Sequence, residues 1–99
     1  MFRHVVLIRI RDQVPLSDVA SAVSALRSLG AGEGVEAWTV AMSLDTRKGQ
    51  VIVVDGSFRD QVAFDAWRRG PAHRRVAEDM SLIADWFVGD WEATAPAVH

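Results

Sequence analysis

Cysteine and tyrosine are both missing from the 99 residues. Without cysteine the chain can form no disulfide, offer no thiolate nucleophile and build no zinc–thiolate site. A disulfide-free chain fits a reducing compartment. Without tyrosine it has no phenolic proton for acid–base work. Neither sign of charge dominates: 11 Lys and Arg against 13 Asp and Glu give a net charge of −2. A broad basic field for nucleic acid or an anionic membrane surface is therefore lacking. No apolar run approaches the ~20 residues that span a bilayer. Met1-Phe2-Arg3-His4 leads directly into a strand-like run, with no long apolar stretch or small-residue cleavage site of a signal peptide. The chain reads as a soluble, cytoplasmic single domain with no nucleic-acid or membrane partner. Its 49% apolar and 24% charged residues fit a folded globular protein. A unit this small buries only roughly 65% of the surface its unfolded chain exposes, so pairing is the easy way to complete a deep pocket.

Residues 2–11 are rich in β-branched side chains and long enough for one strand. Pro15 interrupts the chain, and Ser17 and Asp18 are both credible helix N-caps. Val19, Val23, Leu26 and Leu29 then recur at helical spacing. Gly30, Gly32 and Gly34 end that helix and turn the chain into a strand over 35–44. A polar connection over 45–49 precedes a strand over 50–58. Asp60 caps a short helix to Arg69, Gly70-Pro71 starts a second helix running to about Asp85, and 86–92 is the last strand. Residues 93–99 read as a loose tail. The order β-α-β-β-α-β, with the second helical part split at Gly70-Pro71, is the ferredoxin-like α+β plan. Such a fold is a four-stranded antiparallel sheet with helices on one face.

Strand parity then shows a surplus of apolar surface. His4, Val6, Ile8 and Ile10 share one face, while Val5 and Leu7 lie on the other with Arg3, Arg9 and Arg11. Ile52, Val54 and Phe58 oppose Val51 and Val53, and Phe87 and Trp91 oppose Trp86 and Val88. Both faces are apolar near the middle, yet helices on one side cover only one of them. The simplest cover for the other is a second copy of the chain, giving a homodimer through the sheet face.

The sequence resembles the stress-responsive A/B barrel domain (Dabb) family of dimeric α+β barrels, along nearly its whole length. The resemblance rests on His4-Val5-Val6-Leu7-Ile8-Arg9-Ile10, on Phe58, on Ala66-Trp67-Arg68-Arg69-Gly70-Pro71-Ala72-His73 with its Pro-x-His, and on Val88-Gly89-Asp90-Trp91. It implies two sheets forming a shared barrel, with a cavity between sheet and helices. Family members include polyketide cyclases and plant stress proteins.

His73 is the first candidate for chemistry. Val76, Ala77 and Met80 follow it at helical spacing, so it faces the buried stripe. A helix N-terminus and partial burial both disfavour the imidazolium, leaving a neutral ring suited to general-base work. The bland alternative is a structural, hydrogen-bonded histidine. His4, on the strand face with Val6 and Ile8, either lines the same cavity and orients a substrate or is a satisfied core histidine. Two histidines can hold a metal, but no His pair at helical spacing supports one, and no metal or cofactor is expected. Cyclising relatives pair the Pro-x-His histidine with a tyrosine six residues earlier. Trp67 stands there, so that pair does not carry over. Trp67 is instead a cavity wall or a core anchor opposite Phe64. Val6, Ile8, Trp67, Val76 and Met80 are the expected ligand-contacting residues. Trp38, Val40 and Met42 alternate on the second strand, and with Trp86 and Phe87 they suit a flat apolar ligand or a dimer core. Arg68, Arg69, Arg74 and Arg75 form a solvated charged corner or guide an anion to the cavity mouth.

The leading expectation is a homodimer that binds a small apolar or aromatic, polyketide-like molecule. As an enzyme it would be a cofactor-free cyclase, with His73 removing a proton beside a carbonyl and His4 assisting. The alternatives are a non-enzymatic, stress-related binding or interaction module and a cofactor-free monooxygenase of the antibiotic-biosynthesis type.

Overall fold

β-Branched runs become the strands, and Gly and Pro punctuate them. The computed structural model, which describes residues 1–94, has β1 (Phe2–Ile10), α1 (Leu16–Ser28), a 3₁₀ turn (Leu29–Ala31), β2 (Val35–Met42), β3 (Val51–Phe58), α2 (Gln61–Arg69), α3 (Pro71–Ser81) and β4 (Ala84–Glu92). The strands form one antiparallel sheet in the order β2-β3-β1-β4. This is the expected ferredoxin-like α+β architecture, with its second helical part divided at Gly70-Pro71. No helix among the described residues is long and apolar enough to cross a membrane.

The helices cover the sheet face that carries Val6, Ile8 and Ile10 of β1, Val40 of β2, and Ile52 and Val54 of β3. Val19, Ala22 and Leu26 of α1 and Val76 and Met80 of α3 pack onto it. A second cluster, Phe2, Phe58 and Phe64, closes one end, and Trp38 and Trp67 pack against both clusters. Asp60 caps α2 as expected: its carboxylate accepts from the Ala63 N–H at 2.8 Å. Pro71 occupies the first turn of α3, where its missing N–H costs nothing.

Several boundaries differ from the sequence reading. Helix α1 begins at Leu16, and neither Ser17 nor Asp18 caps it. The Pro15 carbonyl accepts from the N–H groups of Asp18 and Val19, so the turn closes one residue early. Helix α3 stops at Ser81 rather than near Asp85. The N–H groups of Leu82 and Ile83 bond back to the carbonyls of Asp79 and Met80, and β1 captures the next residues. Ala84 pairs with Ile10, and Asp85 accepts from the Arg11 guanidinium at 3.0 Å. Strand β2 ends at Met42, since Leu44 is fully exposed. Strands β1 and β3 are each one residue shorter than expected, ending at Ile10 and starting at Val51. The expected tail, 93–99, lies from residue 95 onward outside the described residues. Ala93 itself is held, its N–H donating to the Met1 carbonyl at 2.8 Å.

One glycine is required by a close approach. A Cβ on Gly56 of β3 would sit 2.6 Å from the ring of Trp38 on the neighbouring strand. Trp38 cannot retreat without giving up its indole N–H bond to the Leu26 carbonyl, at 3.0 Å. Gly56→Ala is therefore expected to lower unfolding free energy by about 1–3 kcal/mol. Urea denaturation followed by tryptophan fluorescence checks this, and a change under about 0.5 kcal/mol would contradict it.

Candidate functional site

Alternation along the strands sends His4, Val6 and Ile8 of β1 and Trp86, Val88 and Asp90 of β4 to the helix-covered face. The apolar stripes of α2 and α3 come down over them. Between the layers lies an open, largely apolar cavity of about 290 Å³. Trp67 and Arg68 of α2, His73, Val76, Ala77 and Met80 of α3, and Leu26 and Leu29 complete its lining. Trp38, Val54 and Phe64 also contribute.

The polar groups in this lining are few. His4 is 5% exposed, and its Nδ1 lies 2.5 Å from Asp90 Oδ1. A carboxylate can only accept, so Nδ1 carries the hydrogen and Nε2 is the nitrogen left to the cavity. The register produces this contact, because His4 stands directly opposite Asp90 in the β1–β4 ladder. His73, half-buried in the first turn of α3, packs its ring 4.7 Å from that of Trp67. Burial holds its pKa below the usual 6.5, and electrostatic repulsion from the sides of His4 and Arg68 works in the same direction. The Arg68 backbone partly opposes them. His73 is thus a neutral imidazole at pH 7.

Trp67 links the two histidines. Its ring centroid lies 5.7 Å from His4, 4.9 Å from Phe58 and 5.4 Å from Trp38. Its indole N–H donates to the Leu29 carbonyl at 3.1 Å, in the 3₁₀ turn that follows α1. The indole N–H of Trp38 donates to the Leu26 carbonyl in the last turn of α1. Neither indole N–H is therefore offered to a ligand; both present ring surface. Gly32 permits the Trp67 contact, since a Cβ there would come within 2.7 Å of the indole.

A family model for the stress responsive A/B barrel domain matches residues 2–93. The chain belongs to this family. Among curated proteins, none is significantly similar in sequence to this Dabb domain. Solved structures resemble it closely in fold. A dimeric ferredoxin-like protein of unknown function from Thermobifida fusca is 20% identical, with a TM-score of 0.82, over 93% of this chain and 90% of that one. A hydroxynitrile lyase from Passiflora edulis is 16% identical, with a TM-score of 0.80, over 96% of each chain. An antibiotic biosynthesis monooxygenase is 12% identical, with a TM-score of 0.77, over 96% of this chain and all of that one. At these identities the likeness concerns the fold.

All seven residues expected from the sequence line this same cavity of the Dabb domain: His4, His73, Val6, Ile8, Trp67, Val76 and Met80. Trp67 is both wall and core anchor, and the cavity stays open beside it. Of the four arginines at the corner, only Arg68 lines the cavity. Asp90 is the lining residue in contact with His4 that the sequence reading did not single out. Its signal was an acidic residue on the inward parity of β4, in step with Trp86 and Val88. Among the described residues, no three His, Asp or Glu side chains gather into a metal-holding group.

Proposed function

We propose that this Dabb domain works as a homodimer that takes a small aromatic or polyketide-like carbonyl compound into the cavity and removes a proton beside its carbonyl. His73 is the general base. His4, held by Asp90, is the partner of the carbonyl oxygen. The observation that carries this reading is the His4–Asp90 contact inside an apolar cavity that also holds a neutral histidine. In the proposed step the substrate C–H bond breaks and its proton passes to the bare nitrogen of His73. The electron pair moves to the carbonyl oxygen, which accepts a hydrogen bond from Nε2–H of His4, acting in this proposal as the imidazolium with a hydrogen on both ring nitrogens, and Asp90 balances that charge. Attack of the enolate carbon on a second carbonyl would then close a ring, with the cavity walls folding the chain of the substrate. The tyrosine-dependent variant of this chemistry is not available, since Trp67 occupies that position and its N–H is bonded to Leu29.

Loss of α-protons from 2-tetralone in deuterium oxide, followed by NMR, tests the step without knowledge of the natural substrate. Protein-dependent exchange is expected. Protonated His73 has no lone pair, so the rate should rise with pH through the titration of His73. Since that pKa is lowered, the midpoint should fall below 6.5 and the rate should be level by pH 7. An acid limb at or above 6.5 would overturn the assignment of His73. Binding of 2-tetralone without any protein-dependent exchange would favour a non-enzymatic binding module.

A further inference from the structure

Four polar side chains of the cavity already have a partner: His4 and Asp90 hold each other, Trp67 is bonded to Leu29 and Trp38 to Leu26. Arg68 does not. It is exposed at the cavity lining, and no ion pair among the described residues includes it. Its neighbour Arg69 is equally exposed but does not line the cavity. Resting on the cavity being a ligand site, we infer that Arg68 selects ligands carrying a carboxylate, so that the substrate is an aromatic or polyketide-like acid rather than a neutral carbonyl compound. The carboxylate sits on the guanidinium at the mouth, where a two-point, charge-assisted contact is available. The apolar body lies along Trp67, Val76 and Met80. The Asp90 carboxylate repels a second anion from the His4 side, so the acid group has one favoured end. This orientation leaves the carbonyl region of the ligand to His4 and His73.

Calorimetric titration of 2-naphthoate and of its neutral isostere 2-naphthamide tests the inference. Wild-type protein is expected to bind the acid about tenfold more tightly, the size of one partly exposed charge-assisted contact. Raising the salt concentration should shrink that ratio. Arg68→Gln should bring the ratio to about one, while Arg69→Gln should leave it near ten. Equal binding of both probes to wild-type protein would overturn the role of Arg68 and leave the cavity reading intact. So would an Arg68→Gln variant that keeps the tenfold preference. Binding of neither probe would overturn the cavity reading and this inference together.

Discussion

Alanine in place of His73 lowers protein-dependent α-proton loss from 2-tetralone by about 10²- to 10⁴-fold, the usual contribution of a positioned general base. The expectation follows from the inventory of the cavity. Among its lining residues, only His4, His73 and Asp90 have side chains of a type that serves as a general base. Asp90 is in contact with His4, and His4 offers one nitrogen that the proposal assigns to the oxygen. Removing His73 therefore removes the base and leaves the carbonyl partner in place. The variant should still fold. His73 is only half-buried, and no side chain caps α3, so no cap is lost. Affinity for 2-tetralone should change far less than rate, because most of the wall is apolar and remains. Asp90→Asn should lose rate by a smaller factor, with binding again retained. An amide still contacts the ring but no longer balances the charge of the imidazolium. Asp90 is thus a positioning residue, recognisable by a fall in rate without a comparable fall in affinity. A His73→Ala protein that exchanges protons at the wild-type rate would remove the enzymatic reading.

The elements of this fold were readable because local signals agree with the global plan. Val51-Ile52-Val53-Val54 can hardly be anything but a strand, and Gly70-Pro71 marks where one helix must give way to another. The end of α3 was not readable, because Leu82, Ile83 and Ala84 continue an apolar stripe that a helix could also use. The competition is decided 74 positions away, where Ile10 takes Ala84 as a strand partner. The same distinction runs through the site. His4, Val6 and Ile8 reach the cavity by strand parity, and His73, Val76 and Met80 by helical spacing, both visible within a few residues. The pairing of His4 with Asp90 spans 86 positions and depends on a register that no local pattern specifies. The bond from Trp67 to the Leu29 carbonyl likewise depends on where α1 ends relative to α2. What the indole does could be seen only once those two helices were placed.

Glutamate at Phe87 converts the proposed homodimer to a monomer at micromolar concentration. Phe87 is 83% exposed on the sheet face away from the helices, beside Leu7 at 48% and Trp91 at 49%. Arg3 lies over the Trp91 ring and pairs with Asp55, and its Nε is buried without a partner. So contiguous an apolar patch, flanked by an ion pair, is what a second copy of the same face would cover. A C2 interface repeats every substitution, so one Phe87→Glu change places two carboxylates in the apolar seam. At about 2–4 kcal/mol for each lost aromatic anchor, dissociation should become easier by roughly three orders of magnitude or more. Sedimentation equilibrium should show wild-type protein at twice 10.9 kDa and the variant near 10.9 kDa. Val62→Glu, on an exposed position of α2, should leave the dimer intact. Wild-type protein sedimenting as a monomer would contradict the assembly, as would an undiminished dimer carrying Glu at 87. Strand β4 also ties the assembly to the site. Trp86, Val88 and Asp90 line the cavity from a strand that, beyond Ala84, is exposed throughout in the single chain. Separating the subunits should therefore loosen the Asp90 side of the cavity, and the Phe87→Glu protein should exchange 2-tetralone protons more slowly than its intact histidines alone would suggest.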